Sequence, residues 1–382
     1  MDILSVQSTT LPSVFGLNIA ALTRLFAKTT NSYKFVFFLS YLDILKRKEF
    51  NTMEPISFRE LMVEMLANTW YPHTYFKLSF GLQDLITTKL DLLKLDIGEP
   101  ILKFKDTDKK LLRTTINNQV LDDSLMRYVP FRTLRPFFEE ELKGVVDYKV
   151  DSTIAELSIK HFTERKPLYS FTNRGDAIIP NPLWTNYFKL HFSIIRSWTA
   201  WHWLEYMQSC NQAVPAISAK LFPPQERDSL KTQAEYWKLV IKHSAVKCIY
   251  SGENLNADRI SLDHFVPWSF VAHDLLWNVI PTLPEVNSAK SNCLPANSYF
   301  DRFVALQHLG LTISNKHAGE QKWEKYVEPF LADLRVGKLN DLLDYGILKS
   351  AYEATLKPQL ELAKTLGFPP NWNYRPTQRE LN

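Results

Sequence analysis

Apolar residues return at helical spacing along most of this chain. Leu17 to Ala27 and Lys34 to Lys46 both show the three- and four-residue rhythm of a buried helical face. Ser57 followed by Glu60 has the form of a capping box, opening a helix through Leu66. Asp84 to Leu95, the Trp-rich stretch Tyr187 to Cys210, and Asp228 to Ile241 continue the pattern. The chain turns helical again after Pro295 and closes in a Pro- and Asn-rich tail from Pro369. One hairpin signature interrupts it. Leu168 to Thr172 and Ala177 to Ile179 flank the turn Asn173-Arg174-Gly175-Asp176. The fold class expected is therefore α+β and mainly helical.

With 382 residues, 45% of them hydrophobic and 13% aromatic, there is material for two or three packed domains, and the composition argues against disorder. Four regions are expected. Residues 1–148 form a helical N-terminal region serving recognition or assembly, and 149–235 a mixed, mostly helical middle. Residues 236–300 hold the unit that carries chemistry, and 301–382 a helical C-terminal region. The net charge of +4 permits a polyanionic partner without demanding one. Three unpaired cysteines, Cys210, Cys248 and Cys293, fit a reducing, cytoplasmic setting and no disulfide framework. Met1-Asp2-Ile3-Leu4 lacks the basic start of a signal peptide. The most apolar run, Phe35 to Leu45, contains Asp43 and ends at Lys46-Arg47-Lys48, so a core helix is expected there and no membrane partner. No phosphate-binding Gly-rich loop of the motor or dinucleotide type appears.

A basic stretch interleaved with aromatics runs from Lys103 to Phe138. It contains Lys105, Lys109, Lys110, Arg113, Arg127-Tyr128, Phe131-Arg132 and Arg135-Pro136-Phe137-Phe138. Such interleaving suits phosphate contacts plus base stacking. A solvated helix face over ordinary core aromatics explains it better, since Asp106, Asp108 and Glu139 to Glu141 are mixed in.

Residues 247 to 295 carry the chemistry. Lys247 to Ser251 reads as a short strand, Gly252-Glu253-Asn254 as a turn, and Arg259 to His264 as a second strand. Phe265 to Trp277 reads as an aromatic-lined loop. Thr282 and Glu285, with Pro284 between them, read as a capping box opening a helix. Asp263 and His264 end a strand and face opposite sides of it. Asn287 lies early in the helix, with Lys290 three residues on along the same face. Oxygen donors from a strand end and from a helix can converge on one cation. A histidine, as a residue type that ordinarily titrates near neutral pH, is well suited to be the general base for water. Cleaving a phosphodiester needs that base and a cation to meet the charge building on the phosphate. Asp and Asn are hard donors suited to Mg²⁺ or Mn²⁺.

This segment resembles the HNH endonucleases, which have the ββα-metal fold. The resemblance implies that Asp263 and Asn287 bind metal, that His264 is the general base and that Asn278 braces the loop. Asn278 follows His264 by 14 residues and precedes Asn287 by 9. The Asp-His-x-x-Pro-x-Ser-Phe start and the Asn-x-x-Lys end are especially similar to the HNH domain of RNA-guided CRISPR effector nucleases. Lys290 is then a candidate phosphate contact. The paired cysteines that hold a structural zinc in many members are missing. The first pair would read Cys248-Ile249-Tyr250-Ser251, and Cys293 has no partner nearby. No structural zinc is expected, and packing against flanking helices must hold the unit.

The expectation is a metal-dependent endonuclease cutting DNA, leaving a 5′-phosphate, possible in defence against foreign DNA. Two alternatives remain: a nucleic-acid-binding or partner-docking protein with an inactive HNH scaffold, and an RNA-cleaving nuclease. Homo-oligomers fit as well as monomers, and protein partners are unassigned.

Overall fold

The computed structural model describes residues 11–27, 29–51, 53–82, 84–93, 95, 106–223 and 229–376. Lys103 and Lys105 of the basic stretch, and Asp228 at the expected helix start, lie outside them. Among the described residues the protein is mainly helical with two small sheets. It divides into two compact units. One comprises residues 1–212 with 221–225, the other 213–220 with 226–382. Among the described residues no helix is long and apolar enough to cross a membrane.

The first unit is organised around α1 (Tyr33–Arg47), which buries Phe35 to Leu42, Ile44 and Leu45. A helix apolar on nearly every side must be covered on every side. Here α2 (Phe58–Trp70) and α5 (Phe192–Cys210) do so, with α3 (Asp106–Asn117) packed on α2. Helix α2 starts where Ser57 Oγ accepts from the Glu60 amide at 3.1 Å, as the capping motif predicts. The expected long helix ending at Cys210 is two: α4 (Pro182–Leu190) and α5, parted at His191. The expected hairpin is β2 (Tyr169–Phe171) against β3 (Ala177–Pro180). Strand β1 (Ile56–Ser57) completes a three-stranded antiparallel sheet.

Of the aromatics in the basic stretch, Phe131, Phe137 and Phe138 pack inward, whereas Tyr128 is exposed. Phe131 stacks on Phe171 at 4.6 Å between ring centroids, and Phe137 and Phe138 are buried. Arg132 pairs with Asp147 and Asp151.

In the second unit, β4 (Ser261–His264) pairs antiparallel with β5 (Val279–Thr282), bringing His264 opposite Val279. Helix α7 (Pro284–Lys290) follows. This corrects the sequence reading, which placed the first strand at Lys247 to Ser251. That segment is a tight turn closed by the Cys248 amide on the Glu253 carbonyl (2.8 Å) and the Gly252 amide on the Cys248 carbonyl (2.9 Å). Strand β5 escapes detection because all four of its residues are buried, so no polar alternation marks it. Pro281, which cannot donate to a ladder, argues further against a strand.

The second correction concerns the start of α7. Its N-cap is Leu283, with no side-chain cap. Thr282 Oγ1 lies 3.2 Å from Cys248 Sγ, and Glu285 pairs with Arg259 at 3.0 Å, so both expected box members are engaged elsewhere. Pro284 at the first helical position provides the start.

Four further helices carry this ββα unit. Helix α6 (Lys231–His243) packs on α8 (Phe300–His317). A β-carbon at Gly310 would fall 2.7 Å from the Tyr236 hydroxyl, so only glycine allows this approach. Phe303 of α8 stacks on Phe265 at 4.1 Å. Asp333 of α9 (Glu320–Leu334) accepts from the Trp277 indole at 2.7 Å, and Tyr352 of α10 (Tyr345–Thr365) donates to the Trp277 carbonyl at 2.9 Å. The tail returns to the turn: the Leu294 amide bonds the Pro369 carbonyl, and the Trp372 ring lies 5.3 Å from Tyr250.

Candidate active site

The antiparallel pair β4–β5 places Asp263 and His264 on adjacent residues at the end of β4. Their side chains meet different partners, as alternation along a strand demands. Asp263 is 3% exposed and His264 8%. Asp263 Oδ1 accepts from Lys290 Nζ at 3.0 Å, and Oδ2 from the Tyr250 hydroxyl at 2.7 Å. Lys290 is wholly buried and also donates to the His264 carbonyl at 2.7 Å. The lysine thus ties the end of β4 to α7, and its ammonium is directed at Asp263 rather than at solvent. Burial, and then the Asp263 charge, push the Tyr250 phenol well above its usual pKa, keeping it a hydrogen donor.

His264 Nε2 lies 2.8 Å from Asp274 Oδ1. A carboxylate accepts, so this bond favours the tautomer with the proton on Nε2, in which Nδ1 is the basic nitrogen. His273, the next loop residue, is held near a pKa of about 4, first by burial and then by His264. It therefore adds no charge beside His264 near neutral pH.

Asn278 is fully buried and clamps Val266 from both sides. Its Oδ1 accepts the Val266 amide at 2.9 Å, and its Nδ2 donates to the Val266 carbonyl at 2.9 Å. The Phe265 amide bonds the Asn278 carbonyl at 2.9 Å. These bonds close the loop that leaves β4, at its root. Gln307 of α8 adds a support from below, donating to the carbonyls of Leu276, Trp277 and Val279.

Asn287 Nδ2 donates to Ser261 Oγ at 2.8 Å and to the Leu262 carbonyl at 3.1 Å. The side chain of α7 therefore reaches β4 one residue from Asp263, with its amide NH₂ engaged by the strand. The donor set suits a small hard cation. Each Asp263 oxygen keeps a lone pair beyond those used by Tyr250 and Lys290, and the Asn287 amide oxygen is a neutral hard ligand. Among the described residues no cluster of three or more His, Cys, Asp or Glu side chains is assembled for a metal. Most of the coordination shell would therefore be water and substrate oxygen, as Mg²⁺ tolerates.

Sequence reasoning missed Asp274 and Tyr250. Asp274 sits in a loop whose length follows no rule, so no spacing points to it. Tyr250 falls where a zinc-binding turn would be sought, and only the fold shows its hydroxyl meeting Asp263.

Residues 248–296 match the family model of the HNH endonucleases. The match suggests nuclease activity for that segment; enzymes of the matched family act on nucleic acid and generally use a divalent metal. No curated protein and no solved structure matches the chain.

Proposed function

We propose that the protein is a metal-dependent endonuclease that hydrolyses DNA, with His264 as general base and Asp263 and Asn287 as ligands to one Mg²⁺ or Mn²⁺. The observation that carries this reading is the pairing of His264 Nε2 with Asp274, beside an Asp263 carboxylate held by Tyr250 and Lys290. A base must be oriented and correctly tautomeric before it can take a proton from water. Asp274 does both: it fixes the ring and stabilises the imidazolium that forms. When bound, the cation supplies charge stabilisation at the phosphate and its leaving oxygen. Asn278 holds the loop root so that His264 and Asp274 stay in register. Lys290 acts through Asp263, holding its carboxylate toward α7. We assign it this positioning role in place of the phosphate contact expected from sequence, because its ammonium is buried against two acceptors.

The test is cleavage of plasmid, single-stranded DNA and RNA by the full chain, with Mg²⁺ or Mn²⁺ and with EDTA. His264→Ala should cut about 10²–10⁴-fold more slowly while keeping its fold. Asn287→Ala should require more metal for half-maximal rate. Wild-type cleavage by His264→Ala would remove His264 as the base. Preferential cutting of RNA would redirect the substrate assignment. No cleavage of any substrate, with nucleic-acid binding intact, would favour an inactive scaffold.

A further inference from the structure

Four helices of the first unit, α1, α2, α3 and α5, surround a cleft of about 570 Å³ far richer in cations than its acids require. Lys46 and Arg47 come from α1, Lys109 and Arg113 from α3, and Arg196 from α5. On α3 the two basic residues are one helical turn apart and so share a face. The acids in the cleft are Asp43 and Glu64. Glu64, 1% exposed, receives Arg47 at 2.7 Å, Lys109 at 3.2 Å and Arg113 at 3.4 Å. Asp43 receives Arg196 at 3.0 Å and Lys109 at 3.2 Å. Burial pushes the Asp43 carboxyl up, yet Lys109 and Arg196 outweigh it and hold it below the usual carboxylate range. Asp43 is therefore ionised, and Glu64 sits within reach of three cations.

Five cations against two anions leave a net charge of +3 in one cleft. Adding the flanking Glu60, which pairs with both Arg47 and Lys48, brings in one charge of each sign and changes nothing. The two acids hold the cations in place without neutralising them. Like charges gathered in a concave, partly desolvated site repel one another, and a multivalent anion relieves this. Arginine forks preset by carboxylates suit phosphate oxygens. Half-buried Phe192 adds an aromatic wall, with Lys46 Nζ 5.1 Å from its ring centroid and Phe50 meeting it edge-on at 5.8 Å.

We propose that this cleft binds a small nucleotide-class ligand carrying two or three phosphates, the phosphates among Lys46, Arg47, Lys109, Arg113 and Arg196 and the base against Phe192. A surface tracking a nucleic-acid strand would be an extended basic groove, whereas these residues converge on one pocket whose acids are fully engaged. Lys110, the neighbour expected to join Lys109 in phosphate binding, is exposed and does not line the cleft.

The experiment is calorimetric titration of the full chain with ATP, ADP, pyrophosphate, orthophosphate and adenosine. Low salt and EDTA exclude binding through a metal at the nuclease segment. Lys46→Glu is the informative variant, since Lys46 is exposed and pairs with neither buried acid, so its loss leaves none unpartnered. Arg196→Gln is the second variant, and Lys160→Glu, on an exposed helix face elsewhere in the unit, is the charge control. ATP and ADP should bind below about 1 mM and adenosine should not; Lys46→Glu should weaken binding about tenfold or more, a difference of about 1.4 kcal/mol, and Lys160→Glu should not. Absence of nucleotide binding, or binding indifferent to both cleft variants, would overturn the proposal. So would orthophosphate or pyrophosphate binding as tightly as ATP, which would leave Phe192 without a role. Lys46-dependent binding of a single-stranded oligonucleotide without nucleotide binding would equally overturn it, in favour of a strand-tracking surface.

Discussion

Replacing Lys290 by Met separates the two things its ammonium does. Methionine keeps the length and much of the volume of the side chain, so packing around α7 is retained while the charge and both hydrogen bonds are lost. The gross attraction at 3.0 Å is on the order of 5 kcal/mol at an effective dielectric of about 20. Much of that is cancelled by the desolvation of both ions in the native pair. The relevant quantity is what remains: an Asp263 carboxylate, 3% exposed, with Tyr250 as its one strong donor. Removing one partner of a buried pair typically costs about 3–5 kcal/mol. In EDTA at neutral pH, Lys290→Met should therefore unfold earlier in urea by about that much. At roughly 2–4 °C per kcal/mol for a unit of this size, the melting temperature should fall by 6 °C or more.

The same charge also competes with any cation at Asp263. Without it, Mg²⁺ should bind more tightly, and each tenfold gain returns about 1.4 kcal/mol at saturating metal. The variant's deficit should thus shrink as Mg²⁺ is added, measured by urea titrations in EDTA and in Mg²⁺. A deficit under about 1 kcal/mol in EDTA would refute the argument that the pair secures the strand end. A deficit indifferent to Mg²⁺ and Mn²⁺ would refute the shared use of Asp263.

Three further outcomes are expected. Asp274→Asn should retain the fold but slow cleavage by about 10²–10⁴-fold, through loss of the preferred His264 tautomer and of imidazolium stabilisation; a wild-type rate would free His264 of this partner. Asn278→Ala leaves the buried Val266 amide and carbonyl without their partners; at about 1–3 kcal/mol for each unsatisfied group, urea unfolding should show a loss of roughly 2–6 kcal/mol, and a loss below about 1 kcal/mol would mean the loop is held otherwise. His273, with a native pKa of about 4 against an ordinary value near 6.5, binds its proton more readily when unfolded. Its contribution is fully present above pH 6.5 and is lost as pH falls from 6.5 to 4, reaching about 3 kcal/mol at most. His273→Phe, which keeps the ring against Trp277, should flatten the stability profile across that window, and an unchanged slope there would reassign it to other groups.

What could be read in advance follows from where each signal resides. Helix α1 was legible because Phe35 to Leu45 is apolar on almost every face, and only a buried helix of that length accounts for it. Ser57 marked the start of α2 because a cap is a local bond between neighbours. Asp263, His264, Asn278 and Asn287 stood out together in the sequence by their order and spacing, and the fold gathers them at the end of β4, the root of its loop and α7. What escaped depends on contacts that sequence distance hides. Thr282 and Glu285 have the spacing of a capping box, yet Cys248 and Arg259, distant in sequence, take their side chains. Lys290 looked like a solvated or phosphate-facing lysine, because nothing in Asn-x-x-Lys says that Asp263 lies beneath it. The basic stretch misled for a related reason. Interleaved charge and aromaticity suggested one surface, but the chain divides it: Phe131, Phe137 and Phe138 turn inward, while Lys109 and Arg113 turn toward Glu64 on α2. Glu64 lies in the middle of an apolar helix, where an ionised carboxylate is costly unless paired. A buried acid at such a position predicts basic partners from elsewhere in the chain. It is the one local sign that the cations of α3 have a structural destination before they have a ligand.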